Sequence, residues 1–315
     1  MTDNDGRERG NSRFRALVLG AAAGGGLPQW NCGCENCRDA RIAGSGIVPQ
    51  TQSSLAVSVD GENWAVLNAS PDIRHQLEHN PQLQPKSLRH SPVKSVLLTN
   101  GDIDHIAGLL ILREKQPLQV FVTSAISQIL DDNPVFRALD PEFVRREIIS
   151  LDQPFDLLPG LTAQLFAVPG KVPLFMEDGE PDTRLEGEQT VGVEMHANGQ
   201  RIVYIPGCAF IPPSLAARLD GASLVFFDGT VFTDDEMIRC GTGIKTGARM
   251  GHMAISGEGG SLEALRSLKI ERIIYIHINN TNPIWREGPE RDLVNAHGID
   301  VGHDGMEITL GTGAR

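Results

Sequence analysis

The stretch Ser95 to Leu110, SVLLTNGDIDHIAGLL, constrains the fold more than any other part of the chain. Apolar and β-branched residues from Ser95 to Thr99 read as a buried strand. Asn100-Gly101 breaks that strand, and the apolar spacing beyond it predicts a helix. The turn between them carries Asn100, Asp102, Asp104 and His105. In extended chain the alternate positions 100, 102 and 104 face the same way and His105 opens the helix, so four donors can converge on one point as in a metal site. The same residues also suit an Asx-rich turn in which Asp102 or Asp104 caps the helix. Both readings stand open on this stretch alone.

Three of the five cysteines fall in Cys32-Gly33-Cys34-Glu35-Asn36-Cys37. They are too close together to bridge one another without strain, whereas tetrahedral zinc suits C-x-C-x-x-C spacing. Structural zinc would order a Gly-rich loop, residues 24–38, that has little apolar material to hold it. Redox chemistry is the alternative. A fourth ligand has to come from far along the chain. Cys208 and Cys240 stand alone and are expected as small buried apolar residues.

At 315 residues, 40% hydrophobic and 22% charged, the chain can bury a large core as one domain or two. The formal charge of -12 comes without a basic stripe, which argues against a nucleic-acid backbone or an anionic membrane surface as main partner. No apolar run approaches the ~20 residues of a membrane span. Arg7, Arg9, Arg13 and Arg15 before the small apolar run Ala16 to Ala23 imitate a signal peptide. Asp3, Asp5 and Glu8 dilute that positive region and the apolar run dissolves into Gly24, Gly25 and Gly26. We therefore expect residues 1–14 to be disordered, residues 15–315 to form one domain from a strand at Arg15 to Gly20, and the protein to be cytoplasmic.

Ser54 to Val59 and Trp64 to Leu67 around Asp60-Gly61 predict a hairpin; Glu188 to Met195 and Arg201 to Ile205 around Ala197-Asn198-Gly199 predict a second, with His196 in its turn. His75 and His79, at helical spacing, lie among polar residues and are left out of the site, as is His90. After the central stretch come a strand Gln119 to Thr123, a helix from Ala125, an acidic and aromatic helical region around Phe143, and a strand Leu161 to Val168. Ser223 to Phe227 reads as an apolar strand leading to Asp228, equally a site carboxylate or a turn cap. His252 sits on a loop entering the helix Ser261 to Leu268, and His277 stands at the end of the strand Ile270 to Ile276, where open α/β sheets present ligands.

A hairpin, DIDHIAGL, a second αβ half, a strand ending in His277 and a closing HDGMEI resemble the metallo-β-lactamase superfamily. Its usual signature is H-x-H-x-D-H, and here Asn100-x-Asp102-x-Asp104-His105 keeps only the last two ligands. The cysteine cluster resembles the zinc insertion of the cyclic phosphodiesterase of phosphonate breakdown, and His252 resembles a catalytic His of tRNA 3′-processing relatives. N-x-D-x-D-H joined to GGGLPQWNCGC and IHINNTNPI resembles the pyrroloquinoline quinone (PQQ) biosynthesis protein B family from end to end.

That resemblance implies an αββα sandwich of two mixed sheets flanked by helices. It implies a single redox metal held by Asp104, His105 and His277, with Asp102 as a further ligand or supporting carboxylate, and iron(II) as the metal, zinc or manganese being alternatives. His252 would be a ligand or proton-transfer group and Asn100 would orient water or substrate. Val168-Pro169-Gly170 and Pro206-Gly207-Cys208 stand where hydrolytic relatives carry a His and a bridging Asp. The activity implied is hydroxylation, by dioxygen, of the tyrosine-derived ring of a small peptide precursor of PQQ. Carriage of PQQ or its precursor to the periplasm and hydrolysis are the alternatives. PQQ is a tricarboxylate and would want cations, and Lys171, Arg239, Lys245, Arg249 and Arg286 lie in loops that could supply them. Oligomeric state stays open, a homodimer being one expectation.

Overall fold

In a computed structural model describing residues 13–311, two seven-stranded sheets face each other. The strands are β1 (Phe14–Gly20), β2 (Ser54–Ser58), β3 (Trp64–Leu67), β4 (Val93–Leu97), β5 (Leu118–Val122), β6 (Val144–Ile148), β7 (Pro154–Leu158), β8 (Leu161–Ala167), β9 (Val191–Ala197), β10 (Gln200–Ile205), β11 (Leu224–Asp228), β12 (Ile273–Ile276), β13 (Ile299–Val301) and β14 (Glu307–Leu310). One sheet has the order β14-β1-β2-β3-β4-β5-β6 and the other β13-β12-β11-β10-β9-β8-β7. Each is antiparallel on its hairpin side and parallel from β3 to β6 or from β10 to β13. This is the αββα sandwich that the resemblance implies.

Strand periodicity builds the layers. Along β1, Phe14, Ala16 and Val18 join the core between the sheets, while Leu17 and Leu19 join a second core beneath the helices. The same alternation separates Leu55 and Val57 from Ala56, and Phe121 from Val120 and Val122. Such two-sided burial is why the parallel strands read as continuous apolar runs.

Several sequence expectations need correcting. The proposed disorder of residues 1–12 lies outside the described residues, and Phe14, expected to be disordered, already opens β1. Phe143 does not sit in a helix: it precedes the edge strand β6, whose last four residues are exposed, three of them charged, so that no apolar alternation marks the strand. The second hairpin turns on Asn198 and Gly199 alone, both at positive φ, so His196 belongs to β9 and its Nε2 meets Glu194 Oε1 at 2.7 Å. Cys208 is buried as expected but Cys240 is exposed. No helix among the described residues is long and apolar enough to cross a membrane.

Candidate metal centre

Parallel sheets present side chains at the carboxyl ends of their strands, and the ends of β4, β11 and β12 meet at one rim of the sandwich. Backbone bridges Asn100–Thr190 and Ala22–Ile278 tie the two sheets together there.

Beyond β4 the chain turns at Asn100 and enters the single helical turn Ile103–Ile106. Asp102 occupies the capping position, yet its side chain makes no capping bond, and Oδ1 accepts the Leu174 N–H at 3.3 Å instead. Helix capping is therefore not what holds this polar turn in place. Gly108 lets the helix back directly onto the preceding hairpin's exit, because a Cβ there would stand 2.2 Å from the Ser70 carbonyl oxygen.

His105 is 1% exposed. Its Nδ1–H donates to Asn100 Oδ1 at 2.7 Å, which leaves the lone pair on Nε2. That Nε2 is buried without a hydrogen-bond partner, 3.7 Å from Asp104 Oδ2. A basic nitrogen buried without a partner, its lone pair turned inward, suits a cation as ligand partner. Burial pushes the imidazole down to about 4, so it is neutral and able to ligate.

Asp104 Oδ2 lies 3.2 Å from His277 Nε2. Burial alone would raise the Asp104 carboxyl, but His105 and His277 hold it well below the usual carboxylate range. Burial works against a charged His277, yet its hydrogen bond to Asp104 raises it above the ordinary value. His277 takes φ 54°, a left-handed conformation that costs energy for a residue with a Cβ and is retained where surrounding contacts impose it. The ligand atoms of Asp104, His105 and His277 all lie within 4.8 Å of one another.

Asp228, His252 and His277 form a second group by the same distance, but a side chain already fills its centre. Thr230 Oγ1 stands 2.6 Å from Asp228 Oδ1, 2.8 Å from His277 Nδ1 and 3.1 Å from His252 Nδ1. Asp228 Oδ2 accepts His252 Nδ1–H at 2.7 Å and the Cys208 N–H at 2.9 Å. Burial would raise the Asp228 carboxyl, and the adjoining His252 lowers it. The His252 and His277 rings stack at 5.0 Å with both Nδ1 atoms on Thr230, and His277 Nε2 faces Asp104.

Asp104, His105 and His277 thus come together, His252 lies beside them, Asn100 stands behind His105, and Asp102 sits at the rim. Burial first, and then Asp104, push the Asp102 carboxyl up. Sequence reasoning missed Thr230, and it left Asp228 undecided. Asn282 was missed too: its amide donates to the Gly229 and Thr230 carbonyls at 2.9 and 3.2 Å. The only signals were the strings Asp228-Gly229-Thr230 and Asn279-Asn280-Thr281-Asn282 after strand ends. His75 and His79 stack on each other in a separate helix.

A third group consists of Cys32, Cys34 and Cys37, all free thiols whose sulfurs also lie within 4.8 Å of one another. The Asn280 amide nitrogen faces all three at 3.2, 3.6 and 3.2 Å. Burial pushes the Cys34 thiol up to about 12; burial works on the Cys32 thiol in the same direction, but hydrogen bonds from Cys34, Cys37 and Asn280 lower it. Three sulfurs around one point suit zinc, and the Asn280 side chain can fill the fourth corner only with the amide turned over so that Oδ1, not the donor Nδ2, faces them. Asn280 follows His277 by three residues, so one loop serves both clusters.

A family model described as Beta-lactamase superfamily domain matches residues 63–278. The chain is 66% identical over 299 residues to coenzyme PQQ synthesis protein B of Rhizobium meliloti, with 95% of this chain and 99% of that protein covered. It is 58% identical to coenzyme PQQ synthesis protein B of Ruegeria pomeroyi, with 94% and 100% covered. The crystal structure of Zn(2+)-bound PqqB from Methylobacterium extorquens superposes with a TM-score of 0.92 at 51% identity, covering 93% of this chain and 99% of that one. A diphosphatase from the PhnP family shares the fold at a TM-score of 0.67 and 18% identity, with 95% and 98% covered.

Proposed function

This chain belongs to the coenzyme PQQ synthesis protein B family, and from that premise we propose that it serves PQQ biosynthesis as a non-haem iron(II)-dependent oxygenase that hydroxylates the tyrosine-derived ring of a peptide precursor. The observation that carries the reading is the donor set at the rim. Two histidines and one carboxylate meet there, one imidazole nitrogen is buried with no partner, and Thr230 fills the space a second ion would need. Two His and a carboxylate with open positions suit iron(II), whereas paired-metal hydrolysis requires a second ligand set.

Asp104, His105 and His277 would hold the metal. Iron(II) bound there would pass electrons to dioxygen, with an external two-electron reductant such as ascorbate completing the balance so that one oxygen atom enters the ring and the other leaves as water; zinc or manganese would satisfy the same ligands. Asn100 holds His105 in the tautomer that presents Nε2, and Thr230 does the same for His277. His252, pinned by Asp228 through Nδ1 and stacked on His277, would move a proton to or from the ring hydroxyl. Asp102, outside the Asp104–His105–His277 group, would act as a supporting carboxylate rather than a ligand. Cys32, Cys34 and Cys37 would hold structural zinc with the Asn280 side chain at the fourth corner. A pure carrier of PQQ would leave the orphaned His105 nitrogen without a task.

The test is anaerobic iron loading, then oxygen uptake and mass analysis with a tyrosine-containing precursor dipeptide and ascorbate as external reductant, alongside His105→Ala and His277→Ala. We expect the product to gain oxygen atoms with iron, and both variants to lose at least ~10²-fold in rate. Iron-loaded protein that binds PQQ but leaves the peptide unchanged would contradict the oxygenase and favour carriage.

A further inference from the structure

Beside the metal group, three cations converge on one buried carboxylate. Glu177 Oε1 lies 2.8 Å from Lys171 Nζ, and Glu177 Oε2 lies 3.0 Å from an Arg249 guanidinium nitrogen and 3.9 Å from Lys245 Nζ. The Glu177 side chain is 7% exposed, against 12% for Lys171, 24% for Arg249 and 36% for Lys245. Arg249 also meets Glu180 at 2.8 Å, but that carboxylate is 88% exposed and solvent screens it. Lys171 faces the Asp102 carboxyl as well, so the cluster is a network of alternating charges rather than a surplus of cations. Three cationic side chains sharing one enclosed carboxylate still carry more N–H donors than Glu177 can occupy, and an outside anion can take those left over.

The cluster borders the metal group on two sides. Helix Gly247–Met250 carries Arg249, and Gly251 then delivers the chain to His252. A Cβ on Gly251 would stand 3.3 Å from Lys171 Cγ, so the two segments are in contact. From the other side, the turn Leu174–Met176 leads into Glu177, and its Leu174 N–H donates to Asp102 Oδ1. That turn exposes Leu174, Phe175 and Met176 at 59%, 48% and 46%. An apolar face next to concentrated positive charge matches a ligand that is a flat ring bearing carboxylates.

We propose that Lys171, Lys245 and Arg249 form the subsite that seats a carboxylate of the aromatic polyacid handled at the metal group, and that Glu177 competes with that carboxylate for the same cations. The inference takes its ligand class from the proposed role in PQQ synthesis. It concerns binding, however, and binding is read without turnover.

The probe is PQQ itself, titrated calorimetrically into the full-length, metal-loaded protein at low salt, with PQQ trimethyl ester as the uncharged control. Lys171→Met and Arg249→Met should each weaken PQQ binding at least tenfold, and Lys171→Arg should retain it. Glu177→Gln should tighten it severalfold, a change of opposite sign that a merely structural ion pair would not produce. The ester should bind weakly and alike to all proteins. Equal PQQ affinity across the variants, tighter binding lost rather than gained in Glu177→Gln, or no PQQ binding by the wild type would each overturn the subsite. Absence of hydroxylation with these affinities as expected would instead remove the oxygenase reading and leave the subsite standing.

Discussion

Every imidazole at the rim is gripped from behind by an oxygen. Asn100 takes Nδ1 of His105, Asp228 takes Nδ1 of His252 and Thr230 takes Nδ1 of His277. Each grip selects a tautomer and aims an Nε2 lone pair inward, which is how outer contacts tune a metal's ligands. The Asn100 contact is the simplest to isolate, because its Oδ1 is shared only between His105 and the Asp102 N–H at 3.1 Å among the bonds the described residues show. Asn100→Ala frees the His105 ring and lets the wrong nitrogen carry the proton. We expect it to weaken metal binding at the Asp104–His105–His277 group by about 10–100-fold, measured by competition with a chelator, while zinc at the cysteine cluster is retained. Unchanged affinity would mean that Asn100 does not orient the ligand. This residue's part was only half legible beforehand: its place in N-x-D-x-D-H marked it, but its bond to His105 depends on how the turn closes. Thr230 was not legible at all, since it acts on His277 across 47 residues of chain and a lone threonine after a strand carries no signal of that.

Loops between elements do the joining. The segment His277 to Asn282 gives one ligand to the rim and Asn280 to the cysteines, and Glu236 on the helix Glu236–Arg239 clamps it. Thr281 Oγ1 donates to Glu236 Oε1 at 2.5 Å and the Phe232 N–H to Oε2 at 2.7 Å. Burial raises the Glu236 carboxyl from its ordinary 4.5 to about 7. Folding therefore takes up a proton between those values: the contribution to stability is full below pH 4.5 and is lost as pH rises toward 7. Against Glu236→Gln, the wild type should lose stability over that window by at most ~1.4 kcal/mol per pH unit and run parallel above it. Denaturant midpoints across pH measure this, and parallel curves throughout would contradict it. Hairpins and apolar strands were readable because Asn198-Gly199 and runs such as β11 carry their own local signals. The edge strand β6 was not, because its exposed polar face suppresses the alternation that marks a strand.

At the scale of the whole molecule, two halves each wind from antiparallel to parallel, and they meet so that strand ends from both sheets face one rim. The site's position follows from that winding, and Asp104, His105 and His277, the proposed ligands, could be picked out beforehand because each follows a recognisable strand. What the halves bring together, the rear grip of Thr230 and the cations around Glu177, depends on packing between distant segments. In the proposed reading one metal is held at the rim by Asp104, His105 and His277, and Asn280 of the same loop faces a separate cysteine group. Anomalous diffraction at the iron edge from crystals of iron-loaded protein would test this directly. We expect one iron peak, bonded to Asp104, His105 and His277, and none at Thr230. Two iron peaks at the rim, or a single one that leaves His105 Nε2 unligated, would contradict it.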